Sequence, residues 1–305
     1  MNKHVIVGAG PVGSTTAMLL AEAGESVSLV SRSGSGPNHP EIEKVAADAA
    51  DRATMLRLSV GASAIYNCAN PAYHRWPTDW PPIASSLLQA AEECGAVLVT
   101  MSNLYGYGPV DHPMKEDDEL AASSVKGRVR VRMWQEAKAA HDAGQVRVSE
   151  ARASDFFGLG ETASHFGRMI PRVLAGKTVR VIGSPDTPHS WTYVPDVART
   201  LVTLAGDERA WGRPWHVPTN PPLSQREAAA ALADLADVPA PQVRGIPGWV
   251  IRAAGVASPL LRELREVAYQ FERPFVLASS AITQTFGLEP TPMREALRKT
   301  LESSR

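Results

Sequence analysis

The 305-residue chain has only two cysteines, Cys68 and Cys94. Two thiols cannot build a disulfide framework, and their spacing matches no metal-ligand motif, so both read as reduced thiols and no metal is expected. Charge of one sign is lacking as well: 31 Lys and Arg stand against 32 Asp and Glu, for a formal net charge of -1. Phosphate backbones are met by clustered positive charge, so nucleic acid is not an expected partner. Long apolar runs are also missing. The most apolar C-terminal stretch, 246–264, is broken by Pro247, Arg252, Pro259 and Arg262. It falls short of the roughly 18 uninterrupted apolar residues that a spanning helix needs, which argues against a membrane partner. Lys3 is followed at once by His4, Val5 and a glycine-rich turn rather than by a long apolar region. No secretory pattern opens the chain, and a cytoplasmic location is the expectation.

What is present is a regular alternation. Short apolar runs at Val5–Val7, Ser26–Val30, Lys44–Ala47, Ala64–Asn67, Ala96–Met101 and Val146–Ala151 read as strands. Between them lie stretches with apolar residues at helical spacing, such as Ser14–Ala23, Ile83–Glu93 and Arg130–Ala140. Strand and helix in alternation predict an α/β fold, a Rossmann doubly wound parallel sheet with helices on both faces. Beyond about Asp155 the strand candidates shorten to Val179–Ile182, Ser190–Val194 and Trp215–Val217, and Pro and Gly become more frequent. A nucleotide-binding domain over 1–155, with a segment near 189–206 returning to it, and a smaller substrate lobe over 156–305 are therefore expected. Helices are predicted at Val197–Ala205, Gln225–Asp234, Trp249–Phe271 and Met293–Glu302.

Gly8-Ala9-Gly10-Pro11-Val12-Gly13 matches G-x-G-x-x-G between a predicted strand and a predicted helix. The glycines permit a tight turn, let backbone approach a pyrophosphate and allow close helix packing, while free amides at the helix start favour negative charge. A ribose diol is usually met by Asp or Glu at the end of the second strand. This chain has Ser31, Arg32 and Ser33 there. A guanidinium beside two hydroxyls suits a 2′-phosphate, so NADP(H) is favoured over NAD(H), and a flavin is disfavoured. The alternative for Arg32 is a solvated arginine at a strand end. Asp48 with Ala49 is placed to receive an adenine amino group, and Ala69 with Asn70 to border the ribose.

The turn at Gly8, the Asp48-Ala-Ala-Asp51 step, Asn70-Pro71, Ser102-Asn-Leu-Tyr-Gly-Tyr-Gly108, Arg152-Ala-Ser-Asp155 and Tyr193-Val-Pro-Asp-Val-Ala198 occur in this order. With them the chain resembles the extended and atypical short-chain dehydrogenase/reductases, among them the NAD-dependent epimerase/dehydratase-like proteins. The resemblance implies a catalytic Ser or Thr near the end of the fifth strand and a Tyr-x-x-x-Lys pair on the next helix. In such a pair the tyrosine moves the proton at the reacting carbon and the lysine lowers its pKa. None of the six tyrosines here has a lysine four residues later. Matching the helix by Glu136 and by the distance to Arg152 places Arg128 at the tyrosine position and Arg132 at the lysine position; a rival register pairs Trp134 with Lys138. A guanidinium is no normal proton donor, so the expected catalytic set is Ser102, one residue from the family serine position where Met101 falls by strict counting, to orient the reacting oxygen, Tyr105 as substitute acid and Arg132 as a cationic contact. The bland alternative for the Tyr105 segment is loop packing.

The resemblance also places Ala153 and Ser154 beside the nicotinamide and Asp155 against substrate; the alternative for Asp155 is a cap on the helix-like stretch that follows. Tyr73, Trp76, Tyr107, Trp191 and Phe271 are candidates to line an aromatic substrate pocket beyond the strand ends. The family often forms homodimers through helices flanking the fourth and fifth strands, matched here by Pro81–Glu93 and Arg130–His141. The leading expectation is an NADPH-dependent oxidoreductase reducing a carbonyl or related group of a small organic molecule. A nucleotide-sugar epimerase or dehydratase and a noncatalytic NADP-binding sensor are the alternatives.

Overall fold

Seven strands form the central sheet of the computed structural model, which describes residues 1–160, 164–246 and 266–303. The strands are β1 (Lys3–Val7), β2 (Ser26–Ser31), β3 (Ile42–Ala46), β4 (Ala62–Asn67), β5 (Val97–Asn103), β6 (Arg147–Ala153) and a short edge strand, Pro214–His216. The order across the sheet is β3-β2-β1-β4-β5-β6 and then the edge strand, with every pair parallel. Successive side chains on a strand point to opposite faces, and helices cover both faces, so the strands are apolar nearly throughout. Ile6, Leu29, Tyr66, Val99 and Ala151 pack under α1 (Pro11–Glu22) and a later helix, Val194–Gly206. Val5, Val30, Ile65, Leu98 and Val148 face α2 (Arg52–Ser59), α3 (Trp76–Cys94) and α4 (Val125–Asp142).

Two helices begin earlier than their periodicity predicts. Pro77 in the first turn and Pro81 and Pro82 further in disguise the start of α3, yet the helix runs from Trp76. Proline is tolerated in a first turn because the amide it lacks has no intrahelical partner there. For α4 the start is set by Ser124, whose hydroxyl accepts from the Gly127 amide at 2.9 Å.

The return to the sheet reaches beyond 189–206. Val194–Gly206 packs against α1, and then Pro214–His216 pairs with β6, burying Trp215 in the same core. Phe157, Phe166, Ile170, Val173, Leu232 and Leu297 belong to a second core, built on β7 (Asp155–Phe157) paired with Trp191–Tyr193 and on Val179–Ile182 paired with Val243–Ile246. The helix expected over 249–271 lies mostly outside the described residues; Tyr269–Glu272 forms one helical turn. Helix Ser280–Phe286 had no counterpart in the sequence reading. Among the described residues, no helix is long and apolar enough to cross a membrane.

The turn between β1 and α1 is steric in origin. A Cβ on Gly13 would lie 1.8 Å from the Gly8 carbonyl oxygen, and one on Gly8, at φ +108°, would lie 2.4 Å from the Cys68 carbonyl oxygen. Gly13→Ala is therefore expected to destabilise the protein by about 3 kcal/mol, at the upper end of overpacking costs, measured by denaturant unfolding.

Candidate active site

Strand order reverses between β1 and β4, so the helices after those strands leave on opposite sides and a crevice opens at their C-terminal ends. A cleft of about 510 Å³ lies there, lined by Gly8, Gly10, Ser31, Arg32, Asp48 and Ala49 along one side and by Ala69 and Asn70 along the other. A Cβ on Gly10 would meet nothing within 4 Å, so at this residue the backbone borders open space. Gly10 caps α1 without a side-chain hydrogen bond, and no acidic residue stands in the first turn, which leaves the positive helix end uncompensated. Arg32 is exposed on the cleft wall; Asp48 spends one carboxylate oxygen on the Ala50 amide at 2.9 Å. Close glycines, an open Gly10 and an uncapped helix start fit a dinucleotide pyrophosphate.

An inner pocket of about 330 Å³ shares Gly10, Ala69 and Asn70 with the cleft and extends past Pro11 and Val12. Its walls bring together Tyr73, Trp76, Ser102, Tyr105, Ala153, Ser154 and Asp155. Gly13 is buried behind the turn and supports it by packing. Cys68 also borders the pocket, but burial pushes its thiol up to about 12 and keeps it protonated.

Asn103 accepts a hydrogen bond from the Tyr105 amide at 3.2 Å and so shapes the short turn that presents Tyr105. The Tyr105 hydroxyl lies 3.0 Å from that of Tyr73. Burial holds its pKa well above the ordinary phenol value, and the nearby Tyr73 and Asp155 push the same way. Tyr105 therefore keeps its proton, and either hydroxyl of the Tyr73–Tyr105 pair can be the donor. Ser102 is buried at the end of β5 on the pocket wall.

Four expected site residues stand elsewhere. Arg132 points outward from α4, its side chain 72% exposed and paired with Glu136 at 2.7 Å. Arg128 is exposed too and donates to the Ser123 carbonyl at 2.8 Å. The i,i+4 pair facing the sheet ends is two residues earlier, at Lys126 and Arg130, both buried. Gly127 explains the register: a Cβ there would lie 2.5 Å from the Tyr105 carbonyl oxygen, so this side of α4 is the one pressed against the site. Lys126 pairs with Glu266 at 2.6 Å. The Arg130 guanidinium sits 4.7 Å and 4.3 Å from the Trp76 and Trp80 ring centres, and burial brings its pKa down to about 10.

Tyr107, Trp191 and Phe271 are buried but do not line the pocket. The Tyr107 hydroxyl accepts from Arg152 at 2.7 Å and lies 2.8 Å from His216, and Arg152 in turn pairs with Glu150 at 2.6 Å. Trp191 donates to the Leu223 carbonyl at 2.9 Å, and Phe271 stacks on His189 at 4.9 Å. Hydrophobic character could not separate wall from core at these positions.

The NAD dependent epimerase/dehydratase family model matches residues 4–216. Similar solved structures include an epimerase from Methanothermobacter thermautotrophicus, with TM-score 0.83, 18% identity and coverage of 99% of this chain and 91% of that one. A dTDP-glucose 4,6-dehydratase from Bacillus anthracis, in complex with NAD, has TM-score 0.82 and 15% identity over 99% and 96%. A UDP-glucose 4-epimerase from Thermotoga maritima, with UDP-glucose, has TM-score 0.81 and 17% identity over 99% and 98%. At these identities the likeness is one of fold. No curated protein matches the sequence.

Arg130→Ala is expected to reshape the pocket, because two tryptophan faces lose their cation, whereas Arg132→Ala leaves it unchanged. Near-ultraviolet circular dichroism of the tryptophan band distinguishes the two. Gly10→Ala should fold with stability within about 0.5 kcal/mol of the parent, a typical surface change, yet weaken dinucleotide binding at least tenfold in a fluorescence titration.

Proposed function

The chain belongs to the NAD-dependent epimerase/dehydratase family, and from that premise we propose that it is an NADP(H)-dependent oxidoreductase acting at a carbonyl or carbinol carbon of a small organic molecule. The observation that carries this reading is the inner pocket, which opens directly off the Gly10 cleft and gathers hydroxyl groups around one space. Gly8, Gly10 and the first amides of α1 would hold the pyrophosphate, and Arg32 with Ser31 the 2′-phosphate. Ala153 and Ser154 would border the nicotinamide. Bound there, a nicotinamide dinucleotide supplies a hydride donor or acceptor. The proposed division is 1–155 for the nucleotide, together with the segments at 194–206 and 214–216 that return to its sheet, and the rest of 156–305 mainly on the substrate side.

The protein's own part is to place the substrate and stabilise charge. Ser102 and Tyr105 are positioned to donate hydrogen bonds to an oxygen on which negative charge develops, and such donors count for more in a pocket with little water. Lys126 and Arg130, four residues apart and both buried, share the inner face of α4. Neither is a neutral hydroxyl acid, so Arg130 contributes positive charge held by aromatic faces rather than a proton.

The family match favours a second reading, a nucleotide-sugar epimerase or dehydratase. Absorbance at the reduced-nicotinamide band separates the two: a reductase consumes NADPH with a carbonyl compound, whereas an epimerase converts its sugar with no net change. In the leading reading NADPH binds more tightly than NADH, and Arg32→Ala weakens NADPH by roughly tenfold or more, as for loss of a charge-assisted hydrogen bond, while leaving NADH unchanged. Equal affinities in both proteins would remove Arg32 from this role. No turnover with carbonyl compounds beside intact nucleotide binding would move the assignment to a sensor.

A further inference from the structure

His189 lies behind the inner pocket with both ring nitrogens engaged. Nδ1 is 3.1 Å from the Gln270 carbonyl oxygen, and Nε2 is 2.8 Å from Asp155 Oδ2. A carbonyl oxygen only accepts, so Nδ1 carries a proton, and neutral imidazole has no second one to offer. Nε2 therefore either bears a proton of its own, giving imidazolium beside carboxylate, or accepts one from a protonated Asp155. Facing lone pairs at this distance in a buried site would be repulsive. In both allowed arrangements the pair holds one proton between Nε2 and Oδ2.

Exposure is one-sided. The His189 side chain is 2% exposed and that of Asp155 20%, and Asp155 is the member that reaches the pocket. The imidazole is gripped by aromatic rings, stacked on Phe271 at 4.9 Å and on Phe275 at 5.3 Å, with Trp191 at 4.5 Å. Ser154 Oγ approaches Nε2 at 3.5 Å. Two further titratable groups lie near Asp155: His165 from helix His165–Leu174, which lowers its carboxyl, and Tyr105 from the turn after β5, whose own pKa Asp155 raises. Burial holds His165 below the ordinary imidazole range, and Tyr105 retains its proton. Burial alone would raise the Asp155 carboxyl, but His189 and His165 together bring it below the usual carboxylate value.

We propose that Asp155 is the acid/base group of the inner pocket and that His189 is its proton partner, replacing the absent Tyr-x-x-x-Lys pair; this rests on the oxidoreductase reading. In reduction, the carbonyl carbon gains a C–H bond from a hydride supplied by a reduced nicotinamide dinucleotide. The C=O π pair moves to oxygen; the proton held between Nε2 and Oδ2 passes fully to Oδ2, its link to Nε2 breaks as the carboxyl turns toward the pocket, and it then leaves Asp155 to form the O–H bond. The pair is left as carboxylate and neutral imidazole and regains its proton from water. In the oxidative direction the carboxylate takes the hydroxyl proton. Asp155 is thus a catalytic residue and His189 a positioning residue.

The test uses the full chain without nucleotide, isotope-labelled, with His189 ring nitrogens and the Asp155 carboxyl carbon followed by NMR from pH 5 to 9. One proton shared by the pair at pH 7 is the expected result, and neutral imidazole beside ionised Asp155 overturns the proposal. In Asp155→Asn, the His189 Nε2 signal should lose the signature of a proton shared with a carboxyl. In His189→Gln, the Asp155 carboxyl should titrate higher, because the hydrogen bond from His189 that lowers it is gone. With an identified carbonyl substrate, Asp155→Asn should slow turnover by about a hundredfold or more, the range of general acid catalysis, with partial recovery in Asp155→Glu and unchanged NADPH affinity in both. Unimpaired turnover in Asp155→Asn overturns the proposal and leaves the oxidoreductase reading standing. Failure of the unaltered protein to bind either nucleotide overturns that reading instead, and the NMR result does not depend on it.

Discussion

Backbone meets backbone where α1 crosses β1, and the site depends on that approach. With no room for a Cβ at Gly13 or Gly8, the helix lies against the strand it follows, and its first turn is aimed at the point where the sheet order reverses. A side chain at Gly13 would push the helix outward and turn its uncapped amides away from the crevice, and one at Gly8 would collide with the Cys68 carbonyl that follows β4. The same closeness leaves Gly10 on the rim, facing open space. One steric constraint thus supplies both an uncapped helix end aimed at the crevice and open room beside it.

The far side of the site is held differently, by buried charge. Glu150 and Arg152 on β6, Tyr107 after β5 and His216 on the edge strand form one hydrogen-bonded chain across the strand ends. Buried ion pairs add little net stability because desolvation offsets attraction, but breaking one strands a charge at a cost of about 3–5 kcal/mol. The chain therefore acts as a register lock: it is satisfied only when β5, β6 and the edge strand are aligned. That alignment sets Ser102 opposite Arg152 and carries Ala153, Ser154 and Asp155 to the pocket.

Much of the fold is legible in one dimension. Strand after strand declares itself by a short apolar run, and the glycine turn by its place between strand and helix, because each is a local consequence of burial or sterics. Helix register is less legible. Counting back from Glu136 selects Arg132, yet Lys126 and Arg130 are on the inner face, and the useful signal was Gly127, a small residue where α4 meets the Tyr105 turn. Aromatic residues misled for a related reason: Trp191 and Phe271 satisfy a core as readily as a pocket, and only their neighbours separate the roles. Arg130, Lys126 and His189 were missed because the elements that carry them meet only after folding.

By itself, the sequence determined the alternating α/β order, the glycine cradle, the exchange of an acidic residue for Arg32 after β2 and the loss of the Tyr-x-x-x-Lys pair. These are properties of adjacent residues, and local sterics and periodicity suffice to express them. Tertiary structure alone decided which face of α4 looks inward and which aromatics reach open space. It also decided that Asp155 and His189, 34 residues apart, share a hydrogen bond. Such pairings follow from parallel strands brought side by side across long connections, and no local pattern in the chain records where those connections end.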